Sequence, residues 1–370
     1  MRIAVLTHGV SPFGHQYAKA FRDRGHQAEV WSMTPFEATL GQGPARCLGP
    51  TGFRPWETRE RLVPYLRTLR TLRRTVREES PDILMALYMS SAGVIACLSG
   101  HPHVVTSALG SDVFSHVGRR FWRAVFRWEV RRACLVHAVS PALADALRDR
   151  AGADPARMVV APIGIDTGLL GYVEPSARPQ AGRILCTRAH WPAYDQATLV
   201  RAAAILRRRG VACRLAYTSR TGVEATRQLV AEAGIEDMVT FKDGYEYGEL
   251  AGLLAAADLY VSTSLSDGTS QSLLEALATG TFPVVTDIPA NRPWVEHGRT
   301  GLLFPPGDAE ALADRIEEAL ARPDLRAAAG PINRALVMER GDLYRGTDRL
   351  LAAFEQALGG PTGGPRKGTL

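Results

Sequence analysis

Two carboxylates eight positions apart, Asp267 and Glu275, bracket the most chemically informative stretch of this chain. It reads Asp267-Gly268-Thr269-Ser270-Gln271-Ser272-Leu273-Leu274-Glu275, small polar residues giving way to an apolar helix pattern. An apolar run at 259–262 precedes it, so the order is strand, polar loop, helix. The first turn of such a helix offers backbone N–H groups and the positive end of the dipole, which suits phosphate. Gly268, Thr269 and Ser270 let the backbone approach a ligand closely. Asp267 lies at the loop mouth and Glu275 two turns into the helix, so both can face one ligand from different depths. Arg188 closes another apolar run, and a guanidinium binds phosphate through two parallel hydrogen bonds. A plainer reading also exists: Asp267 caps its loop, Glu275 joins a surface ion pair, and Arg188 is one surface arginine among many.

Two further segments follow apolar runs in the first half. Ser11-Pro12-Phe13-Gly14-His15 comes after the run at 2–7, and Leu109-Gly110-Ser111-Asp112-Val113 after the run at 104–107. His101 and His103 flank a proline, but no other ligand accompanies them, and a solvated loop accounts for the pair. The first strand is followed by no GxGxxG, which argues against a nicotinamide oxidoreductase, and there is no Walker lysine motif.

The elements that must position these residues alternate along the chain. Apolar runs at 2–7, 28–32, 83–87, 104–107, 135–139 and 159–161 predict buried strands, with helices over 16–23, 58–78, 90–98, 117–132 and 141–150. Glycines and prolines between 166 and 182 interrupt the pattern. It restarts with strands at 183–187, 213–218, 239–241, 259–262, 283–286 and 301–303, and helices over 196–209, 221–234, 247–256, 271–279 and 308–321. Strand–helix alternation at this spacing implies two doubly wound α/β halves with parallel sheets, whose ligands bind at the carboxyl ends of the strands. The expected domains are 1–170, a linker 171–182, and 183–340. A final helix over 341–358 carries the apolar stripe Leu343, Leu350, Leu351, Phe354 and Leu358, and 359–370 reads as a disordered tail.

The 370 residues, 46% hydrophobic and 22% charged, exclude bulk disorder. No apolar run approaches the ~20 residues needed to span a bilayer, and the N-terminal run is too short for a signal peptide. Five scattered cysteines without a CxxC pair give no support to a disulfide scaffold or zinc module and fit a cytoplasmic protein. The net charge of +6 is uneven, with 22 basic against 14 acidic residues in 1–170 and 22 against 24 in the rest. Two basic stretches are amphipathic. Arg59, Arg61, Arg67, Arg70, Arg73, Arg74 and Arg77 interleave with leucines. Arg119, Arg120, Arg123, Arg127, Arg131 and Arg132 surround Phe121, Trp122, Phe126 and Trp128. Either these are ordinary helices with solvated arginines, or the first domain touches an anionic membrane surface from the cytoplasmic side. No nucleic-acid recognition module is visible.

The block 264–308 resembles the donor-binding region of retaining GT-B glycosyltransferases, family 4. That family carries two acidic residues with seven between them, here Asp267 and Glu275, the first being Asp where Glu is usual. The likeness continues through Pro283-Val284-Val285 and Gly301-Leu302-Leu303 to Pro305-Pro306-Gly307-Asp308, and extends over about 340 residues. Gly14 matches one of two adjacent glycines in the family's phosphate loop. Gly110-Ser111-Asp112 looks like its GSD segment, with Leu109 where many relatives have His. Pro162-Ile163-Gly164-Ile165-Asp166 resembles the turn closing the first domain. Arg188 matches a pyrophosphate arginine, while Ala193 stands near the position of a second cation, a lysine. Asp243-Gly244-Tyr245 resembles the segment lining the nucleotide base.

The resemblance implies two Rossmann-like domains facing across a cleft, and transfer of a sugar from a UDP- or GDP-sugar to an acceptor. It implies retention of configuration, no essential metal, and no cofactor beyond the nucleotide-diphosphate sugar. Asp267 would hold hydroxyls of the donor sugar and Glu275 those of the ribose. Arg188, the backbone around Ser270 and Gln271, and Gly14 would meet the diphosphate, with Tyr245, Gly268, Thr269 and Ser272 lining the donor. Asp112 would contact or deprotonate the acceptor beside His15 and Ser111. The final helix would cross back to the first domain. A sugar-nucleotide epimerase or hydrolase on the same scaffold, or a non-catalytic nucleotide-sugar binder, are the alternatives. The acceptor and the oligomeric state are not legible.

Overall fold

A computed structural model describes residues 1–9, 11–35, 44–49, 62–174, 182–219, 221–245 and 247–359. The chain divides into two compact units, Met1–Ile163 joined by the segment from Leu343 onward, and Gly164–Asp342.

The first unit is built on a parallel sheet of β1 (Arg2–Thr7), β2 (Gln27–Ser32), β3 (Ala45–Cys47), β4 (Ile83–Leu87), β5 (Val104–Ala108), β6 (Leu135–Ala138) and β7 (Met158–Val160), in the order β3-β2-β1-β4-β5-β6-β7. β4 and β5 are buried at every position, as strands covered by helices on both faces must be. The second unit has β8 (Arg183–Cys186), β9 (Arg214–Tyr217), β10 (Val239–Phe241), β11 (Leu259–Ser262), β12 (Phe282–Thr286) and β13 (Leu302–Phe304), in the order β10-β9-β8-β11-β12-β13. All described pairings in both sheets are parallel. Strand order reverses between β1 and β4 in one unit and between β8 and β11 in the other. These are the points where an open α/β sheet leaves a crevice at its carboxyl edge.

Residues 164–170, expected within the first domain, belong to the second unit, so the boundary falls inside the turn 162–166. Ile165 and Leu170 are buried in that unit's core. The Ile165 N–H donates to the Gly341 carbonyl at 3.0 Å, and Thr167 Oγ1 donates to Asp342 at 2.6 Å. Two apolar side chains completing the second core outweigh the chain's proximity to the first. Of the expected linker, 175–181 lie outside the described residues, as do 360–370 of the expected tail and the basic positions Arg59 and Arg61.

The helix Leu343–Gly359 packs in the first unit. Leu350, Leu351 and Phe354 are buried beside Phe21, with the Phe21 and Phe354 ring centroids 5.8 Å apart, and Arg24 donates two hydrogen bonds to Asp348. A helix at Pro323–Arg340, which carries Pro331 in its interior, was not expected. The short edge strand β3 and a π-helical turn at Tyr88–Gly93 were also not expected in that form. No helix among the described residues is long and apolar enough to cross a membrane. The basic helix Arg120–Arg132 buries Phe126, Glu129 and Val130 and leaves Phe121 72% exposed.

Candidate functional site

The crevice point of the second unit is where its chemistry gathers. Arg188 lies just beyond β8, and residues 263–270 lead from β11 into the helix Gln271–Thr279. Ser270 caps that helix, its Oγ accepting from the Leu273 N–H, and Gly280 in the left-handed region ends it. Arg188 Nη2 donates to Asp267 Oδ2 at 2.6 Å, and Nη1 donates to Ser270 Oγ at 3.2 Å and Ser272 Oγ at 3.5 Å. The side chains of Arg188 and Asp267 are 10% and 18% exposed, so the pair is only thinly solvated. Burial works against the Arg188 charge, but the Asp267 carboxylate overrides it and holds the pKa above the ordinary guanidinium value. The other Asp267 oxygen accepts from the Gly268 N–H at 2.8 Å.

Tyr194 completes this arrangement. Its ring lies 3.9 Å from the Arg188 guanidinium carbon, a cation–π contact, and stacks with the exposed Trp191 at 6.2 Å. The loop carrying both aromatics is fastened to the exit of β11: Thr263 Oγ1 donates to the Tyr194 carbonyl at 2.7 Å, and the Leu265 N–H to the Ala193 carbonyl at 2.9 Å.

One turn further along the helix, Glu275 is buried, and burial pushes its carboxyl up to about 7, against the pull of Arg188 and a hydrogen bond from Tyr247. Burial, and then the Glu275 charge, raise the Tyr245 and Tyr247 hydroxyls. Gln271 turns elsewhere, its amide donating to the Gly164 carbonyl at 2.7 Å. Gly268 is buried and Thr269 half-buried beside the pair. Arg188, Asp267, Ser270 and Ser272 are thus in direct contact, while Glu275 and Tyr245 form a neighbouring group.

The first unit corrects two expectations. Gly14 is not in a loop: the helix Pro12–Asp23 has already begun, and a Cβ on Gly14 would sit 2.6 Å from Thr7 Cγ2. Glycine here permits close packing of helix on strand. Asp112 does not present an open carboxylate. It is 6% exposed, Oδ1 accepts from the Leu109 and Gly110 N–H groups at 3.1 and 2.8 Å, and Oδ2 accepts from the Met89 N–H at 2.8 Å. It fastens the turn after β5 to the turn after β4. Burial nevertheless moves its pKa upward. Ser111 is exposed beside it, and His15 is half-buried on the first helix, its pKa lowered by burial and then by Arg22.

Sequence reasoning missed a cluster at the β1/β4 reversal. His8 Nε2 and Ser91 Oγ share a hydrogen bond of 2.9 Å, Ser11 Oγ and the Tyr88 hydroxyl one of 3.1 Å, and the His8 and Tyr88 rings lie 5.8 Å apart. Tyr88 has φ +73°, a conformation that costs a non-glycine residue about 1–3 kcal/mol and is retained where the surroundings enforce it. The position of His8 directly after a buried strand was the available signal. Tyr194 had none, because nothing in its spacing announces that an arginine six residues earlier folds back over it. Among the described residues no three His, Cys, Asp or Glu side chains gather as a metal site.

Two parallel doubly wound sheets, each with polar groups collected at its reversal point, define the GT-B architecture. Residues 7–169 match the family model described as Glycosyltransferase Family 4, and 184–336 that of Glycosyl transferases group 1. The chain belongs to this family of GT-B glycosyltransferases. It is 31% identical over 207 residues to D-inositol 3-phosphate glycosyltransferase of Paenarthrobacter aurescens, covering 51% of this chain and 50% of that protein. Against MMP alpha-(1->4)-mannosyltransferase of Mycolicibacterium hassiacum it is 30% identical over 232 residues, covering 60% and 54%. The chain thus matches about half the length of these curated relatives. In fold it is similar to sucrose-phosphate synthase from Thermosynechococcus elongatus, with a TM-score of 0.79 at 20% identity over 96% of this chain and 99% of that one. Anabaena HepE in complex with UDP-glucose gives 0.76 at 20% identity over 96% and 100%.

Proposed function

We propose that this protein transfers a sugar from a nucleotide-diphosphate donor to an acceptor, with retention of configuration and without an essential metal. The observation that carries the reading is the Arg188–Asp267–Ser270 contact at the β8/β11 reversal, with Glu275 just deeper on the same helix. A leaving diphosphate needs positive potential where its charge develops. Arg188 and the N-terminal end of the helix Gln271–Thr279 supply it from one side of the sheet's carboxyl edge. Asp267 is the acceptor for donor-sugar hydroxyls, Glu275 for ribose hydroxyls, and Tyr245 stands at the base. Solved relatives of this fold carry UDP and UDP-glucose, and curated relatives include a GDP-mannose-dependent mannosyltransferase, which supports a UDP- or GDP-sugar as donor.

Binding and slow hydrolysis of UDP-, GDP-, ADP-, CMP- and TDP-sugars, measured with EDTA present, test the proposal. One donor should bind tightly and turn over in chelator. Loss of all turnover in EDTA with recovery on adding a divalent ion overturns metal independence, and no binding of any donor overturns the donor site. Retention is read from the anomeric coupling constant of the product once an acceptor is found.

The buried Glu275 carboxyl gives the donor step a pH dependence of defined sign. Ribose hydroxyls donate to the ionised form, so binding the donor expels the proton held below about pH 7. Donor affinity rises with pH, by up to about tenfold per unit, and levels off above the carboxyl's pKa. Glu275→Gln flattens this profile. Wild-type affinity that is flat from pH 5.5 to 8, with no proton release in calorimetry, contradicts the assignment.

A further inference from the structure

The Arg188 guanidinium that the proposed function assigns to the diphosphate is already occupied. Its Nη2 is held by Asp267 at 2.6 Å, its Nη1 by Ser270 and Ser272, and one face lies on Tyr194 at 3.9 Å. Only Nε, buried, has no hydrogen-bond partner among the described residues. A buried guanidinium cannot be left without a counter-ion. A diphosphate that takes Nη2 of Arg188 must therefore compete with the Asp267 carboxylate held there at 2.6 Å.

We propose that Asp267 is the resident anion of Arg188, displaced by the donor diphosphate and returning to eject the product, and that Tyr194 is the positioning residue that holds the guanidinium through the exchange. The inference rests on the donor-site reading above. It concerns how that site loads and empties.

The two partners of the guanidinium are unequally anchored. Tyr194 sits in a loop bolted to the exit of β11 by the Thr263 and Leu265 hydrogen bonds. Asp195, next along, accepts from the Thr198 N–H and hydroxyl and so caps the helix Gln196–Arg208. Apart from Arg188, the Asp267 carboxylate accepts only from the N–H of its own neighbour Gly268 among the hydrogen bonds described. Rotation of one side chain releases it, whereas moving Tyr194 requires unfastening a loop. Asp267 is thus the part that leaves.

Charge decides the rest. A diphosphate carries more negative charge than one carboxylate and takes a guanidinium in two parallel bonds. Once displaced, Asp267 stands close to that diphosphate and is repelled by it unless something donates to its oxygens. The sugar of an intact donor supplies hydroxyls for that purpose. After transfer the sugar is gone, Asp267 loses its donors, and it competes again for Arg188. The same carboxylate therefore favours donor over bare nucleoside diphosphate and shortens the stay of the product.

Removing this charge should strengthen product binding and weaken catalysis together. Asp267→Asn keeps the hydrogen-bonding shape, so its affinity for UDP or GDP, whichever the wild type binds, should rise by about tenfold. Its product inhibition should tighten and its turnover should fall. Tyr194→Leu should weaken nucleoside diphosphate binding several-fold, and Tyr194→Phe, which retains the ring, should restore it. Thermal unfolding of each variant separates these effects from loss of fold. If wild-type protein binds nucleoside diphosphate and Asp267→Asn binds it equally or more weakly, the exchange is wrong and the donor site stands. Equal loss in Tyr194→Phe and Tyr194→Leu removes the positioning role of the ring. If the wild type binds none of UDP, GDP, ADP or TDP, the donor site itself is wrong, and this inference falls with it.

Discussion

Arg188→Ala is expected to lower donor turnover by about 10²–10³-fold, the scale set by removing one preorganised donor from a developing oxyanion. Two effects add in the same direction. On the proposed function the leaving diphosphate loses its cation, and Asp267, no longer paired, becomes an uncompensated negative charge. Lysine restores the charge but cannot reach Asp267, Ser270 and Ser272 in one plane, so Arg188→Lys recovers part of the loss. The measurement is kcat/KM for the donor identified in the panel, with thermal unfolding as a control for fold. Full turnover in a folded Arg188→Ala variant would make Arg188 a purely structural counter-ion of Asp267. A non-catalytic binder has no turnover to lose and shows only the binding defect.

The second large effect falls in the first unit. Asp112→Ala orphans the N–H groups of Met89, Leu109 and Gly110 at once, and each buried donor left unsatisfied costs about 1–3 kcal/mol. Stability of this unit should drop by about 3 kcal/mol or more. The turn after β4, which sets Tyr88 and Ser91, should loosen with it. Donor binding, which the proposed function assigns to the second unit, should persist at temperatures where the fold of the first is intact. Asp112→Asn repairs this only in part, since its amide turns a donor toward one of the three N–H groups. A normal melting profile with transfer abolished in Asp112→Ala would instead make Asp112 a reacting group, as the resemblance implied.

The sheets were legible because their strands are short apolar runs between turn residues. β1, β4, β10 and β11 have the bounds their periodicity indicates, and the helix Gln271–Thr279 shows its start in Ser270 and its stop in Gly280. The Asp267–Glu275 spacing was legible for the same reason, since a loop followed by two helical turns is a local matter. What escaped depends on contacts between segments distant in sequence. Asp112 is taken up by backbone N–H groups from two turns, one more than 20 residues away. Tyr194 acquires its meaning only when Arg188 folds over it. Gly14 was placed in a loop by the resemblance alone, whereas proline at the first helical position starts the helix at Pro12. The helix Pro323–Arg340 was not assigned from the sequence, and it accommodates Pro331 in its interior.

The placement of the helix Leu343–Gly359 bears on the order in which the molecule can be made. The second unit is one uninterrupted stretch, Gly164–Asp342, while the first needs Leu350, Leu351 and Phe354 to close its core. On a ribosome, Phe21 and its neighbours must wait for the entire second unit to be synthesised before their covering helix emerges. At about 5–20 residues per second, that interval lasts on the order of ten to forty seconds. During it, the earlier-made half carries an open apolar face beside a later-made half that is free to fold. A chain interrupted before the last helix keeps that face open, so completeness of translation is written into the packing of the first unit.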